Sequence, residues 1–161
     1  MNKLYKLARE FRHAIDQAKS RREFNTYSCL FTFPDGCCDM TCDLLGEYFC
    51  EHGIHTFQIN AQSKYDCQWR HVWLKTFDGI VIDITGDQFI GKSGFPKVID
   101  NVYVGKENEV HRIFCLDRKK EENTTFTDPL SYNGFDGEPN FRQRRLIDAY
   151  KIIKEYLRET N

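Results

Sequence analysis

The chain has 161 residues, of which 40% are hydrophobic and 14% are aromatic, and its formal net charge is -1. This length and composition fit a single globular domain, residues 1–161, and exclude a wholly disordered chain. The small net charge gives no overall electrostatic field that would attract nucleic acid or a membrane surface. No apolar run has the length of a membrane-spanning helix, so we predict neither a membrane partner nor a nucleic-acid partner.

The cysteine count and the start of the chain bear on the compartment. Seven cysteines are an odd number, which is unlike a secreted disulfide framework and indicates reduced thiols. Residues 1–10 are charged and amphipathic and contain no apolar signal-peptide core. We therefore predict a cytoplasmic protein, and leave open its secretion as an effector by a route that uses no signal peptide.

The first part of the chain predicts two helices. Apolar residues at spacings of three and four predict a helix over residues 2–22, and the aromatic and β-branched run 26–33 predicts an extended segment. The turn formers at 34–36 precede a second helix, which begins at Cys38 and ends before Gly53, a residue type common just past a helix end.

The remainder predicts an antiparallel sheet and a last helix. The hairpin turn Asp78-Gly79 joins the second and third of five predicted strands, which cover residues 54–62, 69–77, 80–85, 102–104 and 110–116. Residues 117–140 have no clear pattern and are either a lid over a site or a plain covering loop. A helix over residues 142–158 closes the chain. The fold class is therefore α+β, with N-terminal helices packed on an antiparallel sheet.

Cys38 is the first candidate functional residue, because it lies in the first turn of the second predicted helix. Unpaired backbone N–H groups and the positive end of the helix dipole stabilise an anion there, including a thiolate. The same N–H groups suit an oxyanion. The alternative is a buried cysteine that only packs, as most free cysteines do.

A thiol nucleophile needs a base, usually an imidazole, and the imidazole needs an acceptor that orients it. The predicted hairpin supplies His71 on its first strand and Asp83 on its second. A two-residue turn pairs Trp73 with Ile84, which brings His71 diagonally near Asp83 but points Asp83 to the opposite face from Ile84. The pattern therefore allows a contact between His71 and Asp83 without requiring it.

Taken together, these residues resemble a known family. Gly-x-Cys opens a helix, Gly-Ile closes it, and His-x-Trp and Asp-x-Thr follow on two strands, at Gly36, Cys38, Gly53, Ile54, His71, Trp73, Asp83 and Thr85. This order resembles the transglutaminase-like branch of the papain-like thiol enzymes, which includes the arylamine N-acetyltransferase relatives. The resemblance covers residues 33–90, about a third of the chain.

The resemblance implies a papain-like core and a triad of Cys38, His71 and Asp83. In that triad His71 deprotonates Cys38, Asp83 orients His71, and the thiolate attacks an amide carbonyl to form a thioester. The implied substrates are protein or peptide amides, in proteolysis, glutamine deamidation or transamidation, with no metal or organic cofactor. Trp69 and Trp73 are the candidate substrate-binding residues, with core packing as their alternative role.

Two features of the predicted site depart from the family pattern. Asp39 and Asp43 flank the proposed thiolate and disfavour its negative charge, unless they face solvent or bind a cationic substrate. The sequence does not identify a second oxyanion donor beside the Cys38 N–H, and the candidates are Asn25, Trp69 and Gln88.

A zinc-binding interaction module is the main alternative to an enzyme. Cys38 and Cys42, together with Cys67 and His71, have the spacing of four zinc ligands. A third hypothesis is a catalytically inactive descendant that only binds its target.

The last predicted helix has a basic face. This face is either only solvated or docks an acidic protein partner, and it consists of Arg142, Arg144, Arg145, Lys151, Lys154 and Arg158.

Overall fold

The computed structural model describes residues 3–66, 68–116, 125–126 and 139–159. Its elements, in chain order, are α1 (Lys3–Ser20), α2 (Cys38–Glu51), β1 (Thr56–Ser63), β2 (Arg70–Thr76), β3 (Val81–Asp83), a 3-10 helix (Gly86–Phe89), β4 (Tyr103–Gly105), α3 (Glu109–Ile113), β5 (Phe114–Leu116), β6 (Thr125–Phe126) and α4 (Phe141–Glu159). The described residues confirm the predicted α+β class.

One antiparallel sheet forms the centre of the described part of the fold. Its strand order is β4-β3-β2-β1-β5, and β6 also pairs with β1. The longest pair is β1 with β2, which runs from Thr56 opposite Thr76 to Gln62 opposite Arg70. This pair provides the rigid frame on which β3 and the first turn of α2 are placed.

Helices α1, α2 and α4 cover one face of the sheet and bury the larger core. Phe11, Leu45 and Ile153 of the helices are fully buried there with Leu74 and Ile82 of the sheet. The apolar residues of α1 face this core because they recur at helical spacing. The opposite sheet face carries a second, aromatic-rich cluster that includes Ile59, Trp73, Val81, Phe89 and Phe114. None of the described helices is both long and apolar enough to cross a membrane.

The boundaries of α2 agree with the prediction. The helix begins at Cys38, after Gly36 turns the chain with φ 66°, and Gly53 lies just beyond its end with φ 72°. The Gly53 N–H donates to the Cys50 carbonyl at 2.9 Å, so a glycine in the left-handed region satisfies a carbonyl of the last turn.

The predicted extended segment over residues 26–33 is wrong. These residues form consecutive turns. Asn25 Oδ1 accepts from the Tyr27 N–H at 2.9 Å, and Ser28 Oγ accepts from the Leu30 N–H at 3.2 Å. Short polar side chains that bond to the backbone two residues on favour turns over a strand, whatever the β propensity of their neighbours.

The predicted strand over residues 110–116 is in fact a short helix followed by a strand. Asn108 is the N-cap of α3, and its Oδ1 accepts from the N–H groups of Val110 and His111. The His111 side chain accepts in turn from the Asn108 N–H, which completes a capping box. This local hydrogen bonding begins a helix where apolar content alone indicates a strand.

The β2–β3 hairpin is one residue out of the predicted register. Leu74 lies opposite Ile82, whereas a two-residue turn pairs Ile82 with Lys75. The connection is a three-residue loop, residues 77–79, closed by a 2.9 Å backbone hydrogen bond between its two flanking residues. Its last residue, Gly79, has φ 83°, which is typical of three-residue hairpins that end in a left-handed residue.

The predicted lid or covering loop over residues 117–140 lies largely outside the described residues, which include only 125–126 and 139–140 of that range.

Candidate active site

Cys38 is the first residue of α2 and is half-buried. The side chain of the N-cap residue, Cys37, makes no capping hydrogen bond within the described structure. Because no side chain caps them, the first N–H groups of α2, at the positive end of the helix, are available to an anion. A thiolate on Cys38 or an oxyanion beside it would meet that requirement.

The observed hairpin register places His71 and Asp83 on one face of the sheet. Continued to the end of the strand, the pairing puts Asp83 opposite Trp73. His71 is two residues before Trp73, and side chains two apart on a strand share a face. The predicted register placed Asp83 on the sheet face opposite to His71. The observed shift of one residue brings the two side chains to the same face.

His71 connects Cys38 to Asp83. Its ring is wholly buried, its Nε2 lies 2.7 Å from Asp83 Oδ2, and the Cys38 side chain is a further hydrogen-bond partner. Because Nε2 faces Asp83, Nδ1 is the ring nitrogen that can serve the thiol, and Gln88 Nε2 lies 3.3 Å from the same atom. Burial lowers the pKa of His71, but the charge of Asp83 and the hydrogen bonds to Asp83 and Cys38 outweigh it and raise this pKa to about 9.

The Asp83 carboxylate is buried and fully hydrogen bonded. Its Oδ2 accepts from His71, and its Oδ1 accepts from the Thr85 N–H at 2.9 Å and from the Thr85 hydroxyl at 3.3 Å. Burial raises the pKa of Asp83, but His71 and His111 beside it hold that pKa well below its usual range. Asp83 is therefore ionised at neutral pH, where it orients His71 and stabilises the protonated imidazole.

His111 is a member of the site that the sequence reasoning missed. It is 2% exposed, and its Nε2 lies 3.2 Å from Asp83 Oδ2, the oxygen that also faces His71. The sequence signal for it was Asn108, three residues earlier, which is a residue type that begins helices. A helix start there places His111 in the first turn of α3.

Gln88 lies between His71 and the turn that precedes Cys38. Its Nε2 is 3.3 Å from His71 Nδ1 and donates to the Thr85 carbonyl at 2.9 Å. Its Oε1 accepts from the Gly36 N–H at 3.4 Å. Gln88 thus ties the base to the loop that leads into α2.

The other two oxyanion candidates have different partners. The Asn25 side chain accepts from the Tyr27 N–H within its own turn. The Trp69 Nε1–H donates to Asp66 Oδ2 at 3.1 Å. Of the three candidates, Gln88 is the one with a described contact to the His71 ring.

Trp69 and Trp73 differ in exposure. Trp73 is 3% exposed and its ring centroid lies 4.9 Å from that of His111, so it packs beneath the histidines and is not accessible to the substrate predicted for it. Trp69 is half-buried, with its ring 6.0 Å from Phe89 and Lys92 Nζ 4.5 Å from its centroid. Only Trp69 has the exposure that a substrate contact needs.

The two carboxylates beside Cys38 are paired with a cation from α4. Arg142 bonds to Asp43, and its Nη1 lies 3.5 Å from Asp39 Oδ2. Burial raises the pKa of Asp43 to about 6, although Arg142 and a hydrogen bond from Gln58 lower it. Arg142 therefore offsets the negative charge that the sequence placed next to the proposed thiolate.

Four of the six residues of the predicted basic face of α4 make described bonds within the molecule, including Arg144, whose Nε donates to the Pro139 carbonyl at 2.8 Å. Besides Arg142, Arg145 Nε donates to the Tyr27 carbonyl at 2.8 Å, and Lys154 bonds to Glu51. Docking of an acidic partner on this face stays a prediction.

The predicted zinc set does not assemble among the residues that can be described. Cys67 lies outside them. Cys42 is buried and its thiol donates to the Val72 carbonyl at 3.4 Å, while His71 Nε2 is bonded to Asp83. Within the described ranges, no three His, Cys, Asp or Glu residues are arranged to hold a metal ion.

A scan against protein-family models and searches of curated proteins and of solved structures gave no match to this chain. The resemblance seen in the sequence stays a prediction, and function has to be inferred from the chemistry of the site.

Proposed function

We propose that this protein is a thiol-dependent acyl-transfer enzyme, with Cys38 as nucleophile, His71 as base and Asp83 as the residue that orients His71. One observation carries the proposal: the buried His71 ring is hydrogen bonded to Asp83 and also interacts with the side chain of Cys38, which lies at a helix N-terminus. A nucleophile, a base and an orienting carboxylate in one connected row is the arrangement that activates a thiol.

The reaction proceeds through a thioester. His71 takes the proton of Cys38, and the sulfur forms a bond to the carbonyl carbon of an amide. His71 then returns the proton to the amide nitrogen, and the C–N bond breaks. Water, deprotonated by His71, attacks the thioester, releases a carboxylic acid and restores the thiol, whereas an amine in place of water gives a new amide.

Two groups suit the oxyanion of the tetrahedral intermediate. The first is the set of N–H groups at the start of α2, which includes that of Cys38. The second is the Gln88 side-chain amide, whose Nε2 faces His71 Nδ1 in the resting site. Below about pH 9 His71 is protonated on both ring nitrogens, so Nδ1 does not accept there and the Gln88 N–H is available to the oxyanion.

The substrates we propose are main-chain or side-chain amides of proteins and peptides, in proteolysis, deamidation or transamidation. The half-buried ring of Trp69 beside Phe89 supports this class, because it offers an apolar wall near His71. The sequence resemblance to transglutaminase-like and papain-like enzymes supports it too, through the order of Cys38, His71 and Asp83 along the chain.

A peptide that carries a chloromethyl ketone tests the proposal. We expect one covalent adduct, located on Cys38 by peptide mass spectrometry, which C38A and H71A abolish. C37A is the matched control and should be labelled like the wild type, because burial raises the pKa of the Cys37 thiol to about 12 and makes it unreactive.

Two results would overturn this proposal. One is labelling spread over several cysteines, or an adduct on Cys38 that forms as fast in H71A as in the wild type. The other is stoichiometric zinc by elemental analysis with Cys38 protected from the reagent, which would support a metal-binding module instead.

A further inference from the structure

The proposed reaction uses one imidazole on Asp83, but two buried imidazoles are bonded to it. His71 Nε2 and His111 Nε2 lie 2.7 Å and 3.2 Å from the same oxygen, Asp83 Oδ2. Both rings are almost completely buried, at 0% and 2% exposure. A buried histidine on the acid of a triad has to be explained, because it competes for the same negative charge.

The surroundings of His111 fix which of its nitrogens carries the proton. His111 Nδ1 accepts from the Asn108 N–H at 3.4 Å, so its lone pair is used there. The proton of the neutral ring is therefore on Nε2 and is donated to Asp83. The rings of Trp73 and Tyr103, with centroids 4.9 Å and 5.5 Å away, hold the imidazole in place.

We propose that His111 is a positioning residue that shares the Asp83 charge with His71 and thereby sets the pH range in which His71 serves Cys38. This inference rests on the proposed function, because it concerns the base of the proposed reaction. The coupling between the two histidines can nevertheless be measured without catalysis. Among the described contacts, His111 bonds to Asp83 and not to the Cys38 thiol, so we place its effect on the thiol through Asp83.

The direction of the effect follows from electrostatics. A donor on Asp83 Oδ2 takes up part of the negative charge that otherwise attracts the proton of His71. Without that donor, more of the negative charge of Asp83 acts on His71, so His71 keeps its proton to a higher pH.

Other groups near Asp83 do not replace this donor. The titratable and charged groups that pack around the site from the other elements are Cys38, Cys42, Tyr103 and the ion pair of Arg12 with Asp87. Arg12 donates to the Ile84 carbonyl next to Asp83, not to its carboxylate. Among the described residues, the hydrogen bonds to Oδ2 come from the two histidines.

Two substitutions separate the two bonds of the His111 ring. H111Q puts an amide N–H where Nε2 is and keeps the donor to Asp83, but it loses the acceptor for the Asn108 N–H. H111N puts a carbonyl where Nδ1 is and keeps that acceptor, but it is too short to donate to Asp83. N108A is a second route, since it keeps both imidazoles and the backbone N–H that faces His111 Nδ1, but it removes the side-chain cap of α3 and so loosens the placement of the His111 ring.

The experiment is a pH titration of His71 by 15N NMR of the imidazole nitrogens, in the wild type and the three variants. We expect H111N to raise the midpoint of His71 by about one pH unit, H111Q to leave it nearly unchanged, and N108A to raise it by less than H111N. The alkaline limb of the Cys38 alkylation rate, measured by mass spectrometry, should move with this midpoint.

Equal midpoints in all four proteins would overturn the inference. Equal shifts in H111N and H111Q would also overturn it, because they would point to a purely structural role of the ring. If wild-type Cys38 is not alkylated faster than the other thiols, the proposed function fails, while the NMR midpoints still decide the role of His111.

Discussion

Four hydrogen-bond donors converge on the Asp83 carboxylate, two imidazoles on one oxygen and the N–H and hydroxyl of Thr85 on the other. Such a carboxylate keeps its charge into acid, and its charge keeps the proton on His71 up to about pH 9. Because the folded pKa of His71 is raised, its contribution to stability is complete below the ordinary value of 6.5 and is lost as the pH rises through about 9.

The substitution D83N tests this residue-scale account. The amide has no charge to stabilise the imidazolium, so the pKa of His71 should fall and Cys38 should lose its activated state. We expect the alkylation rate of Cys38 at pH 7 to drop by about 10–30-fold, because an ordinary thiol is only about 3% thiolate at that pH, as measured by timed quenching and mass spectrometry.

The matched control is D78N, which makes the same change on the exposed loop of the same hairpin. Its alkylation rate should equal that of the wild type. A folded D83N protein, verified by circular dichroism, that reacts at the wild-type rate would show that Asp83 does not activate the site.

At the scale of elements, α4 is attached to α2 directly beside the proposed nucleophile. Arg142 of α4 bonds to Asp43 and faces Asp39, and both acids belong to the α2 turns that begin at Cys38. Asp43 is 7% exposed, and its pKa is raised to about 6 mainly by burial. An acid whose pKa is raised on folding destabilises the fold progressively between its ordinary value of 3.8 and the raised value, so the cost is complete above about pH 6, where Arg142 matters most.

We therefore expect R142Q to lose more stability at pH 7.5 than at pH 5. At pH 5 the folded protein holds Asp43 mostly protonated, and little is lost with the cation. At pH 7.5 Asp43 is ionised and buried without its partner, which costs about 1 kcal/mol for a half-exposed arginine. Urea unfolding at both pH values measures the difference.

R144Q is the control for this prediction, because Arg144 sits on the same helix and its Nε donates only to the Pro139 carbonyl, at 2.8 Å, among the bonds described. It should show the same loss at both pH values. A pH-independent loss in R142Q would contradict the assigned role of the ion pair.

Helix α1 supports the site from the other side through one buried cation. Arg12 Nη1 donates to the Ile84 carbonyl at 2.7 Å and to Asp87 at 2.9 Å, and Nη2 bonds to the same carboxylate at 2.8 Å. These bonds fix the end of β3 and the 3-10 helix that carries Gln88. Since a buried guanidinium is stable only when fully paired, this contact constrains both segments at once.

For the molecule as a whole, local signals in the sequence predicted α2 and the hairpin well. Gly36 and Gly53 mark the ends of α2 because each adopts a positive φ that other residues rarely take. The Asp78-Gly79 pair located the turn, but pattern alone does not distinguish a two-residue loop from a three-residue loop. That single residue decided which face Asp83 occupies.

The parts that the sequence did not predict depend on contacts between distant residues. Arg142 and Asp43 are 99 positions apart in the sequence, and His111 and Asp83 are 28 apart, so no local spacing predicts either pair. The turns over residues 26–33 and the start of α3 were missed for a different reason. In both, short side chains bond to nearby N–H groups and override the β propensity of their neighbours.

The most direct test of the account is the rate at which each cysteine is alkylated by iodoacetamide at pH 6, resolved by peptide mass spectrometry. An ordinary thiol is well under about 1% thiolate at that pH. A Cys38 thiolate paired with protonated His71 should instead react far faster than Cys29, Cys37 and Cys42, and H71A should remove the difference. A Cys38 rate no higher than that of the buried thiols, or one that H71A leaves unchanged, would contradict the central claim.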